Sequence, residues 1–234
     1  MPLLGSAAML LSFDIAAEAV AEHDRWHTHE HLPERLSIPG FLRGTRWVAE
    51  RPGPGTPRYM VLYEVASLAA LTSEPYLQRL NNPTPWTTRV MPHYRGMRRG
   101  LCAVLGSFGF GTGHAGALLR FKAPARGAEA APHRWLLQEV LPALPARPGL
   151  GSAHLLEGAA TPAMTHEQRM RGAADAGVDS ALIVTGYDSA AVAELALSLG
   201  AGPLERQGAT GVTHATYRVD YSLASAELQK QSAR

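Results

Sequence analysis

Apolar and polar positions along the chain fall into short runs separated by breaks rich in Gly and Pro. Met9–Asp14 (MLLSFD) is strand-like, and Phe41–Glu50 and Arg58–Val65 read as two strands joined through Arg51–Pro57, a stretch suited to a hairpin connection. Ala16–Leu36 reads as a helix. Pro33 donates no amide and clashes with the preceding turn, which predicts a bend there, and Pro39-Gly40 ends the element as a turn. Ser67 stands as N-cap for a helix over Leu68–Leu80, and Gly100–Phe108 is a fourth strand. Further strands are expected near Ala115–Lys122, Gly151–Glu157, Ser180–Tyr187 and Val212–Tyr221, with helices near Pro132–Leu144 and Ala190–Leu199.

The second set of elements repeats the first. Trp26–Phe41 (WHTHEHLPERLSIPGF) aligns without a gap on Trp135–Leu150 (WLLQEVLPALPARPGL), placing Trp on Trp, Glu30 on Glu139, Leu-Pro on Leu-Pro and Pro-Gly on Pro-Gly. The preceding strands align Phe13 with Phe121, and Tyr59–Leu71 resembles Ala181–Ala193. The order is βαββαβ twice, the split-βαβ or ferredoxin-like unit. The expected architecture is therefore α+β: two tandem units, over residues 1–108 and 109–234, closed sheet against sheet into a pseudo-dimeric α/β barrel. The space between the sheets is the expected small-molecule pocket. The second copy carries an insertion, Glu157–Val178, that reads as a surface loop, and glycine-rich Gly106–Gly113 reads as the linker between copies.

Features common to both copies are most simply ascribed to the fold, so chemistry is sought where they differ. His27, His29, His31, Glu34 and Arg35 stand where the second copy has Leu136, Gln138, Val140, Ala143 and Leu144. The first copy is thus the candidate site and the second mainly scaffold. His31 and Glu34, three apart on a helix, form a candidate general acid/base pair in which the carboxylate orients the ring and raises its pKa. His27 shares the face of His31. Substrate contacts are sought in His27, Arg46, Tyr63, Trp86 and His93. Trp86 is a candidate lid set against an ordinary rigid connector, and alternation allows only one of Tyr63 and Glu64 to face the barrel. His23, His27 and His31 could offer ligands along one stripe, but with no fourth ligand no metal site is assigned.

Composition narrows the function classes. Apolar residues make up 46% of 234 and charged residues 18%, enough for a proper core. A net charge of +2 with scattered basic residues leaves no nucleic-acid footprint, Arg95, Arg98 and Arg99 being the only tight cluster. No apolar run reaches the roughly 20 residues of a membrane span, and with no basic stretch ahead of an apolar one in Met1–Ser6 no secretory signal is expected. The single cysteine, Cys102, excludes an internal disulfide and lies in a strand, better read as buried than as nucleophilic. The expectation is a soluble cytoplasmic protein with a small-molecule ligand. The barrel closes within one chain, and pairing of exposed sheet edges into a homodimer is left open. The glycines of Gly106–Gly113 make neither a P-loop nor a dinucleotide fingerprint, and no nucleophile elbow is present.

The residues Trp26, Glu30-His31-Leu32-Pro33-Glu34-Arg35, Pro39-Gly40-Phe41, Arg46-Trp47, Tyr59-Met60 and Tyr63-Glu64 resemble the EthD-like group of dimeric α/β-barrel proteins, most strongly over Met9–Arg99. The resemblance implies the ferredoxin-like fold and a site between helix and sheet, lined by a helix-end His-x-Pro, here His31 and Pro33. It also implies a choice among cofactor-free oxygenation, isomerisation, cyclisation, lyase and haem chemistry that the fold does not make. The favoured expectation is a cofactor-free enzyme moving a proton on an apolar or aromatic carbonyl compound. The alternatives are a non-catalytic binding protein and a barrel holding haem or a divalent metal.

Overall fold

The alternating runs become strands that close on themselves. A computed structural model describes residues 3–53, 55–159, 164–172 and 174–232. Among these, the strands are β1 (Ala7–Ile15), β2 (Phe41–Ala49), β3 (Tyr59–Val65), β4 (Tyr94–Gly109), β5 (Ala115–Lys122), β6 (Leu150–Gly158), β7 (Ser180–Gly186) and β8 (Thr210–Ala224). They form one closed antiparallel barrel in the order β1-β3-β2-β8-β5-β7-β6-β4. The first four strands lie in the order β4-β1-β3-β2 and the last four in the order β8-β5-β7-β6, so both halves follow the ferredoxin-like pattern. Two junctions, β2 with β8 and β4 with β6, join the halves. Every strand has two neighbours, so the edge-to-edge route to a homodimer considered from the sequence has no free edge to use. No helix among the described residues is long and apolar enough to cross a membrane.

Alternation sorts side chains to two faces. Leu10, Trp47, Met60, Leu62, Leu118, Leu156, Ile183 and Tyr217 gather into the barrel interior, with Cys102 buried among them and its thiol pushed up by burial to about 12. The space between the sheets, expected from sequence to be the pocket, is therefore packed core. Gly116 makes room for Trp47: a Cβ there would come within 2.6 Å of the indole. Met9, Phe13, Val61 and Tyr63 point the other way, into the layer under the helices of the first half, while Leu119, Phe121, Leu182 and Val184 do so in the second.

The first helix is not one α-helix bent at Pro33. A 3₁₀ turn, Ala17–Ala19, leads into α1 (Val20–Trp26), a π-turn over His27–His31 and then α2 (Leu32–Leu36). The amide of Leu32 reaches back five residues to the carbonyl of His27. The second half does the same: α5 (Ala131–Trp135) runs into a π-turn over Leu136–Val140, with Leu141 N–H donating to Leu136 O at 2.8 Å. In both cases proline follows directly, at Pro33 and Pro142. Proline cannot continue an α-helical ladder and crowds the carbonyl four residues back; the wider turn accommodates it. Gly44 then lets α2 approach the sheet, since a Cβ there would meet Leu32 Cδ2 at 2.3 Å.

Elsewhere, proline again sets the differences from expectation. The helix expected over Leu68–Leu80 breaks at Ser73, giving a 3₁₀ segment (Leu68–Thr72) and α3 (Glu74–Asn81) with Pro75 in its first turn; Ser67 makes no side-chain cap. The stretch Arg79–Arg99 is less a loop than α4 (Pro85–Val90), a 3₁₀ turn and the start of β4, which is much longer than Gly100–Phe108. Gly106–Gly109 belong to that strand too, so only the residues between Gly109 and Ala115 connect the halves. The insertion expected as a surface loop contains α6 (His166–Met170), closed by a capping box of Thr165 and Gln168, and it packs against α3 and the Met91–His93 turn of the first half. The helix expected near Ala190–Leu199 is α7 (Ser189–Gly200), capped by Asp188.

Candidate functional site

One cavity lies between helix and sheet in the first half, the location the family resemblance implies. The helix wall carries His27, His31 and Arg35; the sheet wall carries Met9, Leu11, Phe13, Tyr63, Met97 and Arg99; Tyr76, Leu80, Met91 and Tyr94 close the sides. Thr165, Glu167, Gln168 and Arg171 of the insertion cover it. The free space is about 30 Å³, enough for a water or two. An organic ligand therefore enters by displacing side chains. Met9, Met91 and Met97, unbranched and readily repacked, are the walls best able to yield.

The histidines form a buried file. His23 and His27 have ring centroids 5.4 Å apart, His27 and His31 5.6 Å, and Trp26 lies 4.3 Å from the ring of His31. His23 Nδ1 meets Asp24 Oδ1 at 3.0 Å, and Asp24 in turn accepts from Tyr59 Oη at 2.7 Å. His27 Nε2 is 3.5 Å from Tyr63 Oη. Among the described residues, Nδ1 of His27 and Nδ1 of His31 have no hydrogen-bond partner. Burial, reinforced by His23 and then by the cations Arg46 and Arg35, holds the pKa of His27 well below the usual value. Burial followed by Arg35 does the same for His31. Both rings are neutral at physiological pH. Burial also raises the pKa of Tyr63 and of Tyr94, which stay protonated.

The pairing of His31 with Glu34 is not present. Glu34 accepts from Arg35 at 3.0 Å and lies 3.8 Å from Arg79. Its own pKa is raised, burial outweighing Arg35. Three residues of α-helix would stack the two side chains, but the π-turn widens the helix just before Glu34 and Arg35 captures the carboxylate. Burial and then Arg35 lower the pKa of His31, with no paired carboxylate to raise it.

The other sequence candidates divide cleanly. Tyr63 reaches the cavity, while Glu64 faces the opposite side and binds Arg43 at 2.6 Å and the amide of Leu4 at 2.8 Å. Arg46 is buried but outside the cavity lining: it donates to Asp220 at 2.7 Å and to the Asp24 carbonyl at 3.1 Å. Trp86 is no lid. Its indole donates to Glu22 at 2.6 Å under the guanidinium of Arg25, pinning α4 to α1. His93 is part-exposed beside Glu18, and His29 is exposed. Among the described residues no group of three or more His, Cys, Asp or Glu is gathered to hold a metal ion.

Residues outside the sequence shortlist complete the site. Arg35 is fully buried over Tyr76 and paired with Glu34 and Glu167; burial alone would lower its pKa, but Glu167, Tyr76 and Glu34 outweigh that and keep it charged. Arg171 pairs with Asp175 at 2.6 Å. Arg99 is different. It is 7% exposed, its Nη2 has only the Tyr76 hydroxyl at 3.4 Å, and no carboxylate among the described residues lies within ion-pair distance. Arg35 stands in the same contrast that picks out His31 but is given no role there. Arg99 could have been found by strand parity, since it lies opposite Leu11 in register and so faces the helices. Glu167 and Arg171 lie in a segment with no counterpart in the first copy and left no readable signal.

No known family and no curated protein matches the chain in sequence. Resemblance appears in three dimensions. A protein described as "anthrone oxidase-like" superposes over 96% of both chains with a TM-score of 0.66 at 11% identity. Two proteins each described as "putative monooxygenase" give TM-scores of 0.56. That of Lactobacillus acidophilus NCFM is 9% identical over 94% of this chain and 96% of its own, and that of Fusobacterium nucleatum subsp. nucleatum ATCC 25586 is 8% identical over 94% and 95%. At such identities the likeness is one of fold, and the chain has the ferredoxin-like barrel fold of these oxidase- and monooxygenase-like proteins.

Proposed function

We propose that this protein is a cofactor-free enzyme that moves a proton on a small, largely apolar carbonyl compound, in keeping with the EthD-like resemblance. One observation carries the reading: two neutral imidazoles with unpartnered Nδ1 atoms line one wall of a cavity whose opposite wall holds a buried guanidinium without a carboxylate. Arg99 binds the carbonyl oxygen. His31, supported by His27, takes a proton from the adjacent carbon: the C–H bond breaks, N–H forms, and the electron pair moves through the new C=C bond onto oxygen. The enolate charge then rests on Arg99. The same charge raises the pKa of His31 as the proton arrives, so the base strengthens when it is needed.

The test is hydrogen–deuterium exchange at the carbon α to the carbonyl in a panel of aromatic cyclic ketones, followed by NMR without added cofactor. The wild-type protein is expected to accelerate exchange, and His31→Gln and Arg99→Gln to lose it. A protein that binds the ketones without accelerating exchange is a carrier. A second reading draws on the description of the neighbours as oxidase- and monooxygenase-like: the same enolate gives its electrons to dioxygen. Oxygen consumption by the wild-type protein with the same ketones separates oxygenation from isomerisation.

A further inference from the structure

A second cluster of cations stands away from this cavity, at one end of the barrel interior. Arg98 and Arg120 line a recess of about 130 Å³, with Lys122 on its rim and Gly177, Gly211 and Thr213 around it. Arg98 is one residue from Arg99 and so takes the opposite face of β4. Neither Arg98 nor Arg120 makes an ion pair among the described residues. Arg120 donates to the buried hydroxyl of Ser12 at 3.3 Å. Two carboxylates are nearby. Asp179 lies in the wall, and Asp14, at the end of β1, accepts the backbone amide of Arg58 at 2.7 Å.

Two further observations mark the recess as built to receive something. The hydroxyl of Tyr217, a residue 1% exposed beside the recess and not in its wall, has no hydrogen-bond partner among the described residues and lies within electrostatic reach of Arg120 and Asp14. Arg98 and Arg120 are also close enough to repel one another; burial first and then Arg98 lower the pKa of Arg120. Two guanidiniums that share one recess and make no ion pair among the described residues offer a fork of donors suited to a small oxyanion.

We infer that this recess binds a small, multiply charged oxyanion, a phosphate or the carboxylates of a short dicarboxylate, clamped by Arg98 and Arg120 with Lys122 on the rim. The volume suits such a group, and the glycines at Gly177 and Gly211 leave the rim unobstructed.

Isothermal titration with inorganic phosphate and, separately, with succinate tests this and identifies the better ligand chemistry. One saturable site per chain is expected for at least one of them, in the low millimolar range or tighter. Arg98→Gln and Arg120→Gln are each expected to weaken it roughly ten- to a hundredfold, and Arg99→Gln to leave it unchanged. Binding that Arg99→Gln abolishes belongs to the first cavity and overturns the inference, as does the absence of saturable binding. A second measurement guards against misfolding: without added oxyanion, Arg98→Gln is expected to raise Tm by relieving the repulsion. A lowered Tm with unaltered phosphate and succinate binding would mean that the guanidinium is structural, and would overturn the inference too.

Discussion

The two halves of the barrel carry the same helix on the same sheet and use it for opposite ends. In the second half the π-turn presents Leu136 and Val140, with Leu144 beyond, to a layer containing Leu119, Leu155, Leu182 and Val184. In the first half the same turn presents His27 and His31, with Arg35 beyond, to a cavity with Tyr63 and Arg99. One half shows this geometry filled with hydrocarbon, with no orphaned polar side chain among the described residues of the layer under its helices. The other carries unpartnered imidazole nitrogens and buried arginines that a stability requirement alone would have removed. This difference, more than any single residue, is why the proposed function is placed in the first half.

Making the first half resemble the second tests the contrast. The largest effect is expected for Arg35→Leu, the residue type of position 144. It strands Glu167, and the variant should lose about 3–5 kcal/mol in urea unfolding, much of it recovered on adding Glu167→Gln. His31→Gln should follow, lowering turnover by about 10²–10⁴-fold while leaving the urea midpoint near that of the wild type. Third, the double change His27→Leu with His31→Val copies the second half directly; it should abolish turnover and add about 1–3 kcal/mol of stability, because buried groups without partners are removed. A less stable double variant would mean that the histidines hold the layer together.

The smallest effect is a slope. His23, His27 and His31 all have folded-state pKa values below their ordinary 6.5, burial being the leading cause, and His154 is held at about 4. Below pH 6.5 the unfolded chain takes up protons that the folded protein refuses, so stability is full above this pH and falls as pH drops beneath it. Each histidine contributes up to about 1.4 kcal/mol per pH unit. The double variant should show a shallower loss between pH 6.5 and 5 than the wild type, measured by urea unfolding across that range.

Much of this was legible from the amino-acid order. Two matching registers of Trp, Leu-Pro and Pro-Gly announce the βαββαβ order, and the contrast between positions 27–35 and 136–144 points to the helix wall that lines the first-half cavity. His27, His31 and Tyr63 meet in one cavity. What escaped is three-dimensional. Arg46, Trp86 and His93 are drawn to Asp220, Glu22 and Glu18, partners that sequence distance hides. Glu34 is turned from His31 to Arg35 by a π-turn that no periodicity of 3.6 reveals. The cover of the site comes from residues 165–171, more than a hundred positions from the histidines, in a stretch whose Ala and Gly content resembles a loop.

The π-turn also works as an indexing device. It takes up one residue more than an ordinary turn, so everything beyond it is rotated relative to the straight helix. Deleting a single residue there, for instance the exposed His29, would let the ladder close at its normal spacing. Arg35 and Leu36 would then swing by about 100° around the axis, off the cavity and off the core together. The Leu-Pro step thus sets the phase in which the rest of the helix is read. Substitutions at the histidines can be explored freely in such a frame, whereas a change of length there cannot.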